Sequence, residues 1–203
     1  MCSERSGRVA GVVLAAGSSS RMGRNKLLFD LNGEPLVRRA VRTAVDAGLD
    51  PVIVVLGHEA DAVRAALEGL PCRDVVNPVH TEGMNSSVCA GITAVPSEAA
   101  AAIVLLADMP FVSAAMIGTL LERFRAGDAL LVVSAYGGVN APPTLYDRAL
   151  FAELAGVEGR GCGKRMLRRH PGEATIVHWP ATAIADLDVP DDYARVKAQL
   201  EAQ

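Results

Sequence analysis

The feature that most constrains this chain is the regular alternation of short apolar runs with amphipathic helical patterns. The runs have the length and continuous hydrophobicity of strands buried on both faces, as at Val9–Ala15. After that run, apolar residues recur at helical spacing from Leu36 to Val45, and Gly48 is placed to end the helix. Strand–helix alternation of this kind predicts right-handed crossovers. We therefore predict an α/β fold with a mostly parallel sheet.

The same pattern continues along the chain and predicts one domain over residues 1–203, with residues 1–7 as a flexible N-terminus. Further strands are predicted at PVIVVL, DVVN, AAIVLLAD, ALLVVSAY and ATIVHW. Further helices are predicted at EADAVRAAL, SSVCAGITAV, 113–125, 148–154, 163–170 and the C-terminal DVPDDYARVKAQLEAQ. The segment GGVNAPPTLY is predicted to be an edge strand or a loop, because prolines rarely occupy central strands.

Composition narrows the classes of partner. A net charge of −3 provides no overall basic field, so we expect no nucleic-acid partner. None of the four cysteines forms a C-x-x-C pair or has zinc spacing, which favours free thiols and a cytoplasmic location. No apolar run reaches the roughly 18 residues of a membrane span. The N-terminus lacks a cleavage-site pattern, so we expect neither a signal peptide nor a membrane partner.

Ligands of parallel sheets bind at the carboxyl ends of the strands, and three loops follow such ends. The first is LAAGSSSRMGRNK at 14–26; the others are LGHE after the second strand and ADMP around Asp108. In the first loop, Gly17 and Gly23 permit close backbone approach, while Arg21 and Lys26 supply positive charge. The loop is neither a Walker A loop nor G-x-G-x-x-G. A phosphate cradle is the favoured interpretation, and a solvated basic turn is the alternative.

Two carboxylates are candidate metal ligands. Asp108 ends an apolar strand and could hold Mg²⁺, or it could initiate the turn before Pro110. Asp186 and Asp188 alternate on an extended segment, so one of them could join Asp108. Asp188 could instead cap the last helix.

Two more motifs have open interpretations. GMNSSVCAG places the hydroxyls of Ser86 and Ser87 at a helix start, where they could contact a base or ribose or cap the helix. GRGCGKRMLRRH contains Arg160, Lys164 and Arg165 and is a candidate site for a second anion. It could equally be a solvated basic face.

In combination these motifs resemble the nucleotidyltransferases that mature the molybdenum cofactor, and most closely the cytidylyltransferases. The resemblance covers nearly the whole chain, from VVLAAGSSSRMGRNKLL through NP…GMNSSVCAG and ADMP to LDVPDDY. It implies a three-layer α/β/α Rossmann-like fold and Mg²⁺-dependent transfer of a nucleotidyl group from an NTP to the phosphate of molybdopterin. Pyrophosphate is released. A molybdoenzyme would be a further partner, receiving the product.

The resemblance assigns roles to individual positions. Arg21, Lys26 and Asp108 would be catalytic, Asp108 and Asp188 would bind the metal, and Arg160, Lys164 and Arg165 would bind the acceptor. The nucleotide-binding set would be Leu14, Ala15, Ala16, Gly17, Ser18, Ser19, Ser20, Arg21, Met22, Gly23, Lys26, Gly57, Asn77, Ser86 and Ser87. Relatives that use CTP have the sequence LAAG at this position, as this chain does, whereas relatives that use GTP have LAGG. The Ala16 methyl would restrict room beside the base, which favours CTP.

The acceptor side departs from the family pattern. GGVNAPPTLY replaces a Gly-rich segment ending Gly-x-Pro, and EGRGCGKRML replaces an acidic Gly-Asp-x-Gly. These departures leave a GTP-using enzyme or an enzyme with another acceptor as an alternative. Two separate alternatives are an NAD(P)H-dependent oxidoreductase and a non-catalytic cofactor-delivery protein. The choice between Mg²⁺ and Mn²⁺ is also open.

Overall fold

A computed structural model describes residues 7–19, 23–127, 129–156, 161–184, 193 and 196. Its strands are β1 Val9–Ala15, β2 Val52–Leu56, β3 Cys72–Val76, β4 Ala101–Leu106, β5 Leu131–Tyr136, β6 Val139–Asp147 and β7 Ala174–Trp179. Its α-helices are α1 Leu36–Asp46, α2 Ala60–Ala66, α3 Met84–Thr93, α4 Ala114–Ala126, α5 Phe151–Ala155 and α6 Cys162–Arg169. These bounds confirm the alternation of strands and helices. None of the helices in the described ranges is long and apolar enough to cross a membrane.

The seven strands form one sheet in the order β3-β2-β1-β4-β6-β5-β7. Every neighbouring pair is parallel except the two pairs that β6 makes. The sheet is therefore mostly parallel, as predicted. The chain runs from β1 outward through β2 to β3 and then returns to β4 on the other side of β1.

Helices cover both faces of the sheet. Alternate β1 residues enter two hydrophobic clusters: Val9 and Val13 pack with α1, α2 and α4, whereas Val12 and Leu14 pack with α3, α5 and α6. Because side chains alternate along a strand, a fully apolar β1 is required to fill both layers. The three-layer α/β/α arrangement that the resemblance implied is confirmed.

The prediction for GGVNAPPTLY was wrong. β6 is an internal strand between β4 and β5 and runs antiparallel to both. Its pairing with β4 ends at Val104–Thr144, and the β5–β6 register shifts between Val133 and Ala135. Pro142 and Pro143 fall in this interruption. A proline lacks an N–H group, but here the ladder requires none from it.

The segment that follows the first loop packs against residues near the C-terminus. The ring of Tyr193 packs edge-on against Phe29, with 5.5 Å between ring centroids, and its hydroxyl donates to the Asp30 carbonyl. Val196 is fully buried in the cluster beneath α1. The rest of the predicted C-terminal helix lies outside the described residues.

Candidate functional site

The carboxyl ends of β1 and β4 form a crevice at the centre of the sheet. These strands are parallel neighbours, but the chain after β1 continues to β2, toward one edge of the sheet, whereas the chain after β4 continues to β5, toward the other edge. Diverging connections leave a gap at such a switch point, and ligands of open α/β sheets bind there. The loop after Ala15 and the turn containing Asp108 both open into this gap.

A cavity of about 360 Å³ occupies the crevice, and we call it the nucleotide cavity. Seven of the predicted nucleotide-binding residues and the predicted metal ligand Asp108 line it. The lining residues are Leu14, Ala16, Gly17, Ser18, Ser19, Lys26, Leu27, His80, Thr81, Gly83, Met84, Ser87, Leu106 and Asp108. The cavity therefore combines an apolar wall with one cation, one carboxylate and several hydroxyl groups.

Lys26 and Asp108 form an ion pair within the cavity. Lys26 Nζ lies 2.6 Å from Asp108 Oδ2, and the two side chains are 12% and 23% exposed. The Lys26 backbone N–H donates to Ser19 Oγ at 3.1 Å. Asn25 precedes a single 3-10 turn, and its Oδ1 accepts from the Leu27 N–H at 3.1 Å. Buried capping of this turn positions the lysine over the end of β4.

The opposite wall is organised by Asn77. Its amide nitrogen donates to Ser86 Oγ at 2.9 Å and to Ser87 Oγ at 3.1 Å, and its oxygen accepts from the Val79 N–H. Ser86 Oγ also lies 2.8 Å from the Gly83 carbonyl oxygen, which it can donate to. Ser87 accepts from Asn77 and lines the cavity, so its own hydroxyl proton is available to a ligand.

A second concave surface lies where the sequence predicts acceptor binding. This groove of about 640 Å³, which we call the basic groove, is lined by Gly138, Val139, Asn140, Gly161, Lys164, Arg165, Leu167 and Arg168. The structure thus brings together Lys164 and Arg165, two of the predicted acceptor-binding residues. Three cations along one groove favour an anionic ligand.

The end of α6 is held by an ionic cluster. His170 Nε2 lies 2.8 Å from Glu153 Oε2, and its Nδ1 lies 2.8 Å from Glu173 Oε2. Arg169 donates to Glu153 Oε1 at 2.6 Å. Hydrogen bonds from Arg169 and His170 lower the pKa of Glu153, and those to Glu153 and Glu173 raise the pKa of His170. The cluster fixes the helix that presents the cations of the basic groove.

Comparison with known proteins decides the family. A family model described as the MobA-like NTP transferase domain matches residues 11–174. This chain belongs to the MobA-like NTP transferases. It is accordingly a nucleotidyltransferase-family protein with a Rossmann-like nucleotidyltransferase fold.

Relatives of this MobA-like chain have different names. It is 35% identical to nicotine blue oxidoreductase of Paenarthrobacter nicotinovorans, over 80% of this chain and 83% of that protein. It is 31% identical to purine catabolism protein PucB of Bacillus subtilis, over 95% of this chain and 98% of that protein. A probable molybdenum cofactor guanylyltransferase of Opitutus terrae is 38% identical over 64% of this chain and 62% of that protein.

Solved structures agree with the family assignment. Rv0371c of Mycobacterium tuberculosis superposes with a TM-score of 0.83 at 29% identity, covering 95% of this MobA-like chain and 98% of that one. Another structure of Rv0371c is a complex with manganese, with a TM-score of 0.80 at 26% identity over 94% and 98% of the two chains. A divalent metal is therefore compatible with this fold.

The cavity suits a metal held in part by the nucleotide. Within the described ranges, no group of three or more His, Cys, Asp or Glu side chains could form a metal site by itself. Mg²⁺ is usually bound by one or two carboxylates together with substrate phosphates and water. Asp108, beside the predicted phosphate loop, fits that mode. The second predicted ligand, Asp188, lies outside the described residues.

Not every predicted site residue lines the nucleotide cavity. The lining does not include Ala15, Gly23, Gly57, Asn77 or Ser86. Gly57 is a packing residue, because a Cβ atom there would lie 2.7 Å from His80 Cγ and 2.8 Å from the Ala16 carbonyl oxygen. The remaining predictions, Ser20, Arg21, Met22 and Arg160, fall outside the described residues.

Sequence reasoning missed His80, Thr81, Gly83 and Met84. They follow β3, whose carboxyl end lies at the same edge of the sheet as those of β1 and β4. The strand-end rule, applied to DVVN as well as to the longer runs, would have found this segment. The prediction selected LGHE instead, and the structure places Gly57 from that segment beneath His80.

Proposed function

We propose that this protein transfers CMP from CTP to the phosphate of a molybdopterin-type acceptor and releases pyrophosphate. The observation that carries the proposal is the ion pair of Lys26 and Asp108 in the nucleotide cavity. In this proposal Lys26 would bind phosphate and Asp108 would bind the metal, side by side at the switch point. The neighbouring basic groove supplies a separate region for an anionic acceptor.

The chemistry needs positioning and charge, with no covalent enzyme intermediate. An oxygen of the acceptor phosphate attacks the α-phosphorus of CTP, and the bond to the departing pyrophosphate breaks. Lys26 would offset negative charge on the phosphate oxygens, and Ser18, Ser19 and the backbone at Gly17 would donate hydrogen bonds to them. Arg21 is proposed, from sequence, to assist. A divalent cation bound by Asp108 and Asp188 would add positive charge beside the same oxygens.

The base would lie against the wall formed by Ala16, His80, Thr81 and Ser87. Ala16 lines the cavity, so its methyl group would narrow the space beside the base. A pyrimidine needs less room there than guanine, which supports CTP. An Ala16→Gly variant should accordingly gain GTP affinity relative to CTP.

A cytoplasmic protein that hands its product to a molybdoenzyme is part of the same proposal. The described cysteines Cys72, Cys89 and Cys162 are all free thiols, which suits a reducing compartment.

Calorimetric titration of CTP and of GTP, each with Mg²⁺ and with Mn²⁺, tests which nucleotide the protein binds. Asp108→Asn should lose most of the CTP affinity, whereas Asp46→Asn, a change on the exposed face of α1, should retain it. A preference for GTP would contradict transfer of CMP and favour transfer of GMP instead. Turnover with molybdopterin, followed by pyrophosphate release, tests the acceptor.

A second candidate, an NAD(P)H-dependent oxidoreductase, is favoured by the similarity to nicotine blue oxidoreductase over most of the chain. The absence of G-x-G-x-x-G from the sequence and of an acidic ribose partner after the first loop weighs against it. Binding of NADPH in place of CTP in the same titration would favour this candidate.

A further inference from the structure

A third cavity, which we call the middle cavity, connects the two sites already described. Its volume is about 240 Å³, and it shares Leu14 and Met84 with the nucleotide cavity. It shares Asn140, Gly161, Lys164 and Leu167 with the basic groove. The middle cavity therefore lies between the nucleotide cavity and the basic groove.

The middle cavity opens where the sheet is interrupted. Beyond Val104–Thr144, β6 no longer pairs with β4, and its pairing with β5 is irregular between Val133 and Ala135. Val104, Val133 and Pro142 line the space at this point. The proline segment that departs from the family pattern thus forms part of a cavity wall.

The walls of the middle cavity are mainly apolar. Leu14, Val88, Val104 and Val133 belong to hydrophobic core, and each is at most 8% exposed. Transfer of a phosphate or carboxylate into such surroundings is costly, whereas an uncharged ring gains from leaving water. The cavity therefore suits the apolar or heteroaromatic part of a ligand, and the groove beyond it suits an anionic part.

Asn85 lines the middle cavity and has a buried amide nitrogen that is unpaired among the described residues. Its Oδ1 accepts from the Cys162 N–H, the first residue of α6, at 3.1 Å. Because that backbone group needs an oxygen, the NH₂ end of the amide faces away from it. Asn85 is 6% exposed, and its Nδ2 finds no hydrogen-bond partner among the described residues. A ligand acceptor atom would remove the cost of an unpaired buried donor.

We propose that the middle cavity binds a flat heteroaromatic ring of the acceptor, with Asn85 donating to a ring atom and with Lys164 and Arg165 holding an anionic group beyond it. The inference rests on the proposed function, because the reacting phosphate must extend from the ring into the nucleotide cavity. Asn85 is then a specificity residue, which selects rings that present a hydrogen-bond acceptor at this position.

The test uses pterin-6-carboxylate, a fluorescent bicyclic ring with an anionic arm, and measures its anisotropy on titration with the intact protein. Wild type should give saturable binding. Ala141→Leu, which adds bulk to the half-buried cavity wall, should weaken binding about tenfold or more. Ala115→Leu, the same change at an exposed position of α4, is the matched control and should bind as wild type does.

Asn85→Asp tests the donor with little change in shape. It keeps an oxygen for the Cys162 N–H but replaces the NH₂ group with an acceptor, so binding should weaken about tenfold. CTP affinity should be unchanged in both cavity variants, and thermal melting checks that each is folded.

Absence of probe binding to wild type, or equal binding by Ala141→Leu and Ala115→Leu, would overturn the inference. Unchanged probe binding by a folded Asn85→Asp would overturn the role given to Asn85. The CTP titration separates the two proposals. Wild type that binds the probe but not CTP refutes the proposed function and retains the ring site, and CTP binding without probe binding does the reverse.

Discussion

Replacement of Gly57 by alanine tests whether close packing behind the nucleotide cavity shapes the site. An added Cβ atom would lie 2.7 Å from His80 Cγ and 2.8 Å from both the Cβ and the carbonyl oxygen of Ala16. The imidazole can turn aside, but the backbone oxygen at the end of β1 cannot. Overpacking of this kind costs about 1–3 kcal/mol, and alanine recovers about 0.4–1 kcal/mol by restricting the unfolded chain. We expect a net loss of about 1–2 kcal/mol.

Urea unfolding measures the loss of stability, and a thermal melt should show a fall of about 2–8 °C for a chain of this size. Because Ala16 and His80 both line the cavity, their displacement should also weaken CTP binding in a calorimetric titration. The two losses should occur in the same variant, since one displaced contact causes both.

Two other glycines provide matched controls. Gly118 lies in α4 with nothing within 4 Å of an added Cβ, so Gly118→Ala should stabilise the fold by up to about 1 kcal/mol. Gly17 also has open space, but that space is the cavity itself. Gly17→Ala should therefore leave the fold at least as stable as wild type but lower CTP affinity. A Gly57→Ala protein with wild-type stability and wild-type CTP affinity would refute the reasoning.

Three further predictions concern charge. Lys26→Met should lower turnover about 100-fold and weaken CTP binding as well, as steady-state kinetics and calorimetry would show, because it removes the cavity cation paired with Asp108. Arg165→Ala should raise the KM for the acceptor while CTP affinity stays near that of wild type; an equal loss of both would refute a separate acceptor region. His170→Gln should flatten the pH dependence of unfolding, because Glu153 raises the His170 pKa from 6.5. The stabilisation is complete below pH 6.5 and is lost as the pH rises through the raised value, so urea unfolding on both sides of that window measures it.

Local sequence signals sufficed for most elements of the fold. The continuous apolar run of β1 could be read correctly because a strand buried on both faces needs no polar positions. Ser113 could be recognised as a helix cap, and its Oγ accepts from the Met116 N–H at 3.3 Å. That Lys26 and Asp108 lie close together could be predicted because each follows a buried strand, and parallel strands bring their carboxyl ends to one edge.

The sequence by itself determined the strand–helix alternation, and with it the mostly parallel sheet and the two loops after β1 and β4 that open into the crevice. Only the tertiary structure decided where β6 lies, because the tolerance of Pro142 and Pro143 depends on which neighbouring groups need hydrogen bonds there. It also decided that Gly57 packs beneath His80 and that Asn85 Nδ2 has no hydrogen-bond partner in the described part of the chain. Hydrophobic periodicity is a local property that a sequence displays directly. Register and close approach depend on contacts between distant segments, which exist only once the chain has folded.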